Sequence, residues 1–222
     1  MAQLELAQWA LGRASHAGAS AAEIMIVGAE SLSAGVRLGE VEKLKSSRER
    51  RLGLRVFTGQ SSATSATADL ERDALEDFIA QTVQMARLTA SDPCSGLPEP
   101  SLHPRHLVEL ELDDREHRII DADHALQIAR RAENAALKLD ARIKNSEGAE
   151  FDSGCYEVLF ANSQGFSGEY AGTSYSLTVV PVAQDADGMQ RDYWYTADRR
   201  YDRLEEPESV GLTAARRALR RL

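Results

Sequence analysis

The spacing of apolar residues alternates between a helical and a strand-like period along this chain. From residue 4 to residue 17, apolar positions recur every three or four residues, which predicts an amphipathic helix that ends near Gly18. Asp69 suits the N-cap of a second helix that extends to about Leu88. Alternating apolar and polar positions predict the strands between these helices, over residues 24–27, 31–38, 41–45, 52–56 and 61–67.

A second series of elements follows a segment at residues 91–105 that holds four of the six prolines. A helix is predicted over 121–139, and another begins near Pro207, since proline is favoured in the first turn of a helix. The last helix is predicted to bury Leu212, Ala215, Leu219 and Leu222. Strands are predicted between the two helices over 143–145, 155–161, 166–171, 174–183 and 189–196, with turns at 146–148, 162–165 and 187–188.

These patterns predict an α+β fold in which antiparallel meander sheets carry helices packed on one face. The chain is predicted to contain two helix–strands–helix units. The first covers residues 1–90, a proline-rich and acidic linker covers 91–118, and the central unit covers 119–222.

Charge and cysteine content restrict the class of partner and the compartment. A net charge of −9 and a pI near 5.1 argue against direct nucleic-acid binding, which needs a basic surface. Cys94 and Cys155 lie far apart with no CxxC pair, which is typical of a reduced, cytoplasmic protein. The first residues do not resemble a signal peptide, and no apolar run approaches the ~18 residues of a membrane span. We therefore expect a cytoplasmic protein without membrane or nucleic-acid contacts.

The densest chemistry in the chain lies between Gly188 and Thr196, where one strand is predicted to carry Arg191, Asp192, Tyr193, Trp194 and Tyr195 in succession. A period of two places residues 189, 191, 193 and 195 on one face and residues 190, 192, 194 and 196 on the other. Tyr, Trp and Arg are enriched at interfaces and clefts, which favours a functional surface. An ordinary solvent-facing strand with one Arg–Asp contact is the alternative interpretation.

Sequence motifs of self-sufficient active sites are missing from the chain. It contains no HExxH, GxSxG or GxxxxGK motif. His103-x-x-His106 is not expected to hold a metal, because Pro104 prevents a helix from aligning the two rings. The histidines (His16, His103, His106, His117 and His124) are predicted to lie on the surface. Asp113-Asp114 and Glu205-Glu206 are interpreted as solvated charge, and Asn162-Ser163 as turn residues. We therefore predict no catalytic residue and no metal ligand.

Seven short motifs, distributed over almost the whole chain, together resemble the TldD/PmbA family, once called modulators of DNA gyrase. They are Gly39–Glu42, Leu52–Phe57, Ser91–Gly96, Asn145–Gly148, Asn162–Gly165, Met189–Thr196 and Pro207–Gly211. Each motif is weak alone, but their order and spacing are specific. The DPCSG and MQRDYWYT sequences resemble the PmbA (TldE) branch.

The resemblance implies that the chain corresponds to the N-terminal half of a family member, with the C-terminal domain absent. It also implies a cytoplasmic TldD–TldE heterodimer that acts as a zinc metallopeptidase on small or unfolded peptides, with roles in peptide-antibiotic maturation and antitoxin turnover. In that family the zinc-binding HExxxH motif belongs to the TldD subunit, and this chain has none. The chain would then be the non-catalytic partner, with zinc held by a TldD-like subunit.

Under this hypothesis, some side chains are candidates for a subunit interface or the lining of a peptide chamber. They are Arg191, Asp192, Tyr193, Trp194, Asn162 and Ser163. Two alternatives stay open, and whether the chain is itself an enzyme stays open with them. One is a regulatory protein-binding module of the gyrase-modulator type, and the other is an independent peptidase that binds zinc in stoichiometric amount.

Overall fold

The computed structural model of this chain describes residues 2–222. The elements are α1 (Ala2–His16), β1 (Ala21–Arg37), β2 (Glu40–Thr58), β3 (Ser61–Thr67), α2 (Arg72–Leu88), α3 (Ala122–Lys138), β4 (Ile143–Asn162), β5 (Ser167–Gln184), β6 (Met189–Arg191), β7 (Trp194–Asp198) and α4 (Pro207–Leu219). A seven-stranded sheet has the order β3-β2-β1-β4-β5-β6, and β7 also pairs with β5. The pairs β2–β3, β5–β6 and β5–β7 are antiparallel, so the predicted α+β class is confirmed.

Four strands are much longer than the apolar patterns predict. β1, β2, β4 and β5 contain 17, 19, 20 and 18 residues. The turn predicted at 146–148 is wrong, because β4 continues through it. Gly148 has a φ of 115° inside β4, and a Cβ there would lie 2.8 Å from the carbonyl oxygen of Val36. Glycine therefore permits a local distortion of the strand, as in a β-bulge, and does not end it.

The chain forms two compact units that are not contiguous in sequence. Unit 1 contains Met1–Ala29, Glu49–Leu110 and Tyr156–Ala171, and unit 2 contains Glu30–Arg48, Glu111–Cys155 and Gly172–Leu222. The interleaving arises because β1, β2, β4 and β5 each contribute residues to both units. The boundaries predicted at 1–90, 91–118 and 119–222 divide the chain sequentially and stay a prediction.

Unit 1 packs α1 and α2 against the first part of β1 and the second part of β2. Ile24, Leu54 and Ile79 are among its fully buried side chains, and Leu159 of β4 completes the same cluster. The predicted N-cap of α2 is wrong. Glu71 occupies that position without a side-chain hydrogen bond. Asp69 lies two residues before Glu71, and its carboxylate accepts the N–H of Glu71.

Unit 2 packs α3 and α4 against the other half of β1 and against β4 and β5. The predicted inward face of α4 is only partly correct, because Ala215 is buried but Leu212, Leu219 and Leu222 are half-buried. The fully buried positions of α4 are mostly small: Pro207, Val210, Gly211, Ala214, Ala215 and Ala218. Small residues are required because α4 approaches the alanine-rich face of α3 closely.

A buried carboxylate on α3 holds the turn between β1 and β2. The two side-chain oxygens of Glu133 accept the N–H groups of Leu38 and Gly39 at 2.9 and 2.8 Å. Both turn residues have positive φ, 51° and 84°, and the side chain of Glu133 is 1% exposed. Glu133 therefore satisfies the two backbone donors of this turn. Among residues 2–222, no helix is both long and apolar enough to cross a membrane.

Candidate functional site

The segment 189–196 forms two short strands at the end of the sheet, β6 and β7, and the prediction of one continuous strand is wrong. Both strands pair with β5 in the same register, with Val182 opposite Arg191 and Val179 opposite Trp194. This register places Asp192 opposite Pro181. Proline has no N–H to donate, so the hydrogen-bond ladder is interrupted there.

The side chains of this segment alternate between solvent and α4, as the period of two predicts. Tyr193 and Tyr195 are each 53% exposed, and their rings stack with centroids 6.4 Å apart. Trp194 is half-buried and Thr196 is buried on the opposite face. In the order of the sheet no strand follows β6, and β7 pairs only with β5 among the described residues. Tyr195 therefore lies on a strand whose outer edge is unpaired, and Tyr193 lies in the break between β6 and β7.

The inward face of the segment is fixed by the end of α4. Asp192 accepts a hydrogen bond from Arg217 at 3.2 Å, and Arg221 lies 3.8 Å from its other oxygen. The backbone N–H of Tyr193 has the largest effect and lowers the pKa of Asp192, burial raises it, and Arg217 and Arg221 lower it further, so that the net shift is downward. The guanidinium of Arg217 also lies 5.5 Å from the ring centre of Trp194. Asp192 and Trp194 therefore attach the segment to α4.

Arg191 is on the solvent side and forms an ion pair with Glu147 of β4. Its side chain is 67% exposed, so the pair is worth little to stability. The expected Arg–Asp contact thus involves Arg217 instead of Arg191. Beside the pair lies an open cleft of about 780 Å³, with Val180, Val182 and Met189 among its apolar lining and Tyr193 at its rim.

Asn162 and Ser163 belong to unit 1, whereas residues 191–194 belong to unit 2. Asn162 is 4% exposed, and its side-chain oxygen Oδ1 accepts the N–H groups of Gln164 and Phe166. The hydroxyl of Ser163 accepts the N–H of Ala22 at 3.0 Å. Both side chains hold the loop between β4 and β5, as their interpretation as turn residues predicts. A role in a peptide chamber stays a prediction for them.

Sequence patterns missed a buried polar cluster in unit 2. The interpretation of Asp114 as solvated is wrong, because it is 2% exposed. Its carboxylate accepts the N–H of Tyr201 at 2.9 Å and lies 3.3 Å from the ring nitrogen of His117. His124 contacts the Tyr201 hydroxyl at 2.8 Å. His117 and His124 are half-buried, and so is His103, so these three are not ordinary surface residues. No sequence pattern could have identified Asp114 as buried, because its hydrogen-bond partner Tyr201 is 87 positions away in the chain.

We expect acid to destabilise unit 2 through Asp114. Burial raises the pKa of this carboxyl, but the Tyr201 N–H and His117 lower it more, so the folded-state pKa lies below 3.8. Such a group contributes stability above its unfolded-state pKa, and the contribution is lost as the pH falls through the folded-state pKa. Asp114→Asn should therefore destabilise the chain at about pH 5 and have a smaller effect at about pH 2.5. Urea unfolding at both pH values checks this, and an equal effect at both would contradict it.

Comparison with protein-family models assigns most of the chain. Residues 22–86 match the model described as PmbA/TldA metallopeptidase domain 1, and residues 115–222 match the PmbA/TldA metallopeptidase central domain. The chain belongs to the PmbA/TldD family.

Relatives in this PmbA/TldD family carry metalloprotease names. The chain is 34% identical to "Metalloprotease PmbA homolog" from Haemophilus influenzae, over 96% of this chain and 47% of the relative. It is also 34% identical to "Metalloprotease PmbA" from Escherichia coli O157:H7, over 90% of this chain and 44% of the relative. The chain thus spans about half the length of the curated PmbA relatives that it matches.

Solved structures of the PmbA/TldD type have the same fold. A protein from Bacteroides thetaiotaomicron, described as a modulator of DNA gyrase, superposes with a TM-score of 0.88 at 27% identity. The superposition covers 98% of this chain and 49% of that protein. TldE from Thermococcus kodakarensis superposes with a TM-score of 0.81 at 16% identity, over 99% of this chain and 47% of TldE, which shows the fold alone.

The zinc expected of a PmbA/TldD metallopeptidase does not fit the described part of this chain. Within residues 2–222, no three His, Cys, Asp or Glu side chains are placed to hold a metal ion. The ring of His103 packs on Phe166 with centroids 5.0 Å apart, and its Nε2 lies 3.3 Å from the Asn162 side-chain nitrogen. His103 is thus engaged with the loop between β4 and β5.

Proposed function

We propose that this chain acts in a zinc metallopeptidase of the TldD/TldE type, which degrades or matures small or unfolded peptides. In this proposal the chain is the non-catalytic, PmbA/TldE-like subunit of a cytoplasmic heterodimer, and a TldD-like partner holds the zinc. Membership of the PmbA/TldD family and the metalloprotease names of its relatives support a peptidase role.

The observation that carries the proposal is the solvent face of β6 and β7. It presents Arg191, Tyr193 and Tyr195 beside an open cleft and an unpaired strand edge. An extended peptide or a partner strand can add to such an edge through backbone hydrogen bonds, which do not depend on peptide sequence. The tyrosine rings supply rigid apolar area at small entropic cost. Asp192 and Trp194 anchor this surface from the other side.

The direct test is reconstitution of peptidase activity. A full-length protein containing this chain is mixed with a TldD-like subunit and Zn²⁺, and cleavage of an unfolded peptide is followed by mass spectrometry. We expect cleavage only when both subunits are present. Full activity of the TldD-like subunit alone would reject the proposal. Metal analysis of each purified subunit supplies a second result, because stoichiometric zinc in this protein would indicate an independent peptidase.

Arg191→Ala is expected to weaken assembly with the partner subunit while changing stability little. An exposed ion pair contributes about 0–1 kcal/mol to folding, whereas Arg at an interface often contributes more to binding. Isothermal titration with the TldD-like subunit measures assembly, and urea unfolding measures stability. Tyr170→Ala is a control, since Tyr170 is an equally exposed aromatic residue in unit 1. Unchanged assembly and stability with lost cleavage would favour an active-site role for Arg191.

The alternative proposal is a regulatory protein-binding module without peptidase function. The description of the Bacteroides structure as a modulator of DNA gyrase favours it. The net charge of −9 disfavours direct contact with DNA, so gyrase itself would be the partner. A pull-down that recovers gyrase and no TldD-like chain would support this alternative over the peptidase role.

A further inference from the structure

The first twelve of the nineteen residues of β2 form an unpaired edge of the sheet. β3 pairs with β2 only from Leu52 to Thr58. Residues 40–51 extend beyond the end of β3, with β1 on one side and no strand of residues 2–222 on the other. All twelve of these residues are exposed. An edge of this length presents a row of unsatisfied N–H and C=O groups, which can pair with another strand.

The charges on this edge differ in sign from the chain as a whole. Residues 40–51 contain five Lys or Arg and three Glu, in a protein of net charge −9. Lys45 and Arg50 form no ion pair with any described residue. Charges on an edge strand can simply prevent aggregation. Preventing aggregation does not require the acidic and basic residues to follow one another in a particular order. The order of the charges therefore carries information about a partner strand.

The order of charges is complementary to itself in one antiparallel register. When two copies of the strand are centred on Ser46, Glu42 lies opposite Arg50 and Lys43 lies opposite Glu49, twice each by symmetry. No like charges are opposed in that register. A shift of one residue either way opposes Lys43 to Arg48 or to Arg50. Opposite charges across a strand pair stabilise it, and like charges destabilise it.

We propose that residues 41–51 of β2 pair antiparallel with the same residues of a second copy of this chain. The two-fold axis passes through Ser46, which gives an isologous dimer with a continuous sheet across the interface. The strand of the second copy can extend to the position opposite Arg51, because β3 begins to occupy the edge opposite Leu52. This interface does not involve β6 or β7, so it is independent of the proposed peptidase role.

Exchange of one charge pair tests the register. Arg50→Glu and Glu42→Arg each place like charges opposite one another at two symmetry-related positions. Each single variant is expected to weaken dimerisation about tenfold. The double variant restores opposite charges and should return to the affinity of the unchanged chain. Sedimentation velocity over a concentration series measures the dissociation constant, and circular dichroism verifies that every variant is folded. A double variant no better than the single variants would overturn the proposal.

A cross-link at the symmetry axis tests the geometry independently. Cys94 and Cys155 are both free, and Cys155 lines the same cleft as Ser46. In a background with Cys94→Ser and Cys155→Ser, Ser46→Cys places two thiols directly opposite each other, where oxidation should join two chains. Arg51→Cys is the control, because its symmetry copy lies ten residues along the strand, about 33 Å away. A chain that stays monomeric, or equal cross-linking of both variants, would overturn the proposal. If a TldD-like subunit or another segment occupies this edge instead, the chain is expected to stay monomeric.

Discussion

Gly211→Ala is expected to lower the free energy of unfolding by about 3 kcal/mol, although alanine normally stabilises the interior of a helix by ~1 kcal/mol over glycine. A Cβ at position 211 would lie 2.0 Å from the carbonyl oxygen of Ala132 and 3.2 Å from the amide nitrogen of Ala136. These are backbone atoms of α3, which cannot move aside by a change of rotamer. The two helices would have to separate and expose part of the unit 2 core.

Gly12→Ala in α1 is the matched control. A Cβ at Gly12 would meet nothing within 4 Å, so the usual helix preference should apply there and stabilise the chain by about 0.5–1 kcal/mol. Urea unfolding followed by circular dichroism measures both variants. Opposite signs are expected for the two substitutions. A stabilising effect of Gly211→Ala would show that α3 and α4 are not in such close contact.

Glu133→Ala is expected to cost a similar amount, about 3 kcal/mol. It removes the acceptors of the Leu38 and Gly39 N–H groups and leaves a cavity beneath the turn. A hydrogen bond to a charged group contributes ~1.5–3 kcal/mol, and Glu133 accepts two of them. Arg130, which donates to the Gly39 carbonyl at 3.2 Å, would keep only part of the turn in place.

Two further variants separate this role from a general effect of losing charge on a helix. Glu133→Gln keeps an acceptor of similar shape and should lose less stability than Glu133→Ala. Glu76→Ala in α2 removes a half-exposed glutamate whose partner, Arg13, is also on the surface, and should change the free energy of unfolding by less than about 1 kcal/mol. Equal losses from Glu133→Ala and Glu76→Ala would contradict the role of Glu133 in the turn.

Spacing predicted the types of element in this chain well, because helix and strand periods depend only on local sequence. It underestimated strand length at β1 and β4, where Gly28 and Gly148 interrupt the apolar alternation while the backbone continues. It also located the outward tyrosines of the candidate site. The break between β6 and β7 could not be predicted, since its cause, Pro181, is on another strand that must first be paired.

Two buried carboxylates also lay beyond sequence prediction, Asp114 because it was interpreted as solvated and Glu133 because no pattern singled it out. Glu133 lies among alanines in the middle of a helix, and its partners are more than 90 residues earlier in the chain. Asp114 has its backbone partner at Tyr201. A sequence pattern reports how often polar residues recur, but whether a polar group can be buried depends on a hydrogen-bond partner brought near it by folding.

The interleaved units also determine when this protein can fold during its synthesis. Leu159 and Ala161 complete the core of unit 1, although most of that core comes from the first 86 residues. The core of unit 2 needs Val210, Ala214 and Ala218 of α4 as well as Ala34 and Val36 of β1. A ribosome must therefore translate about three quarters of this chain before either core can close. Until then the nascent chain exposes the apolar residues of these strands, which is the condition in which chaperones bind.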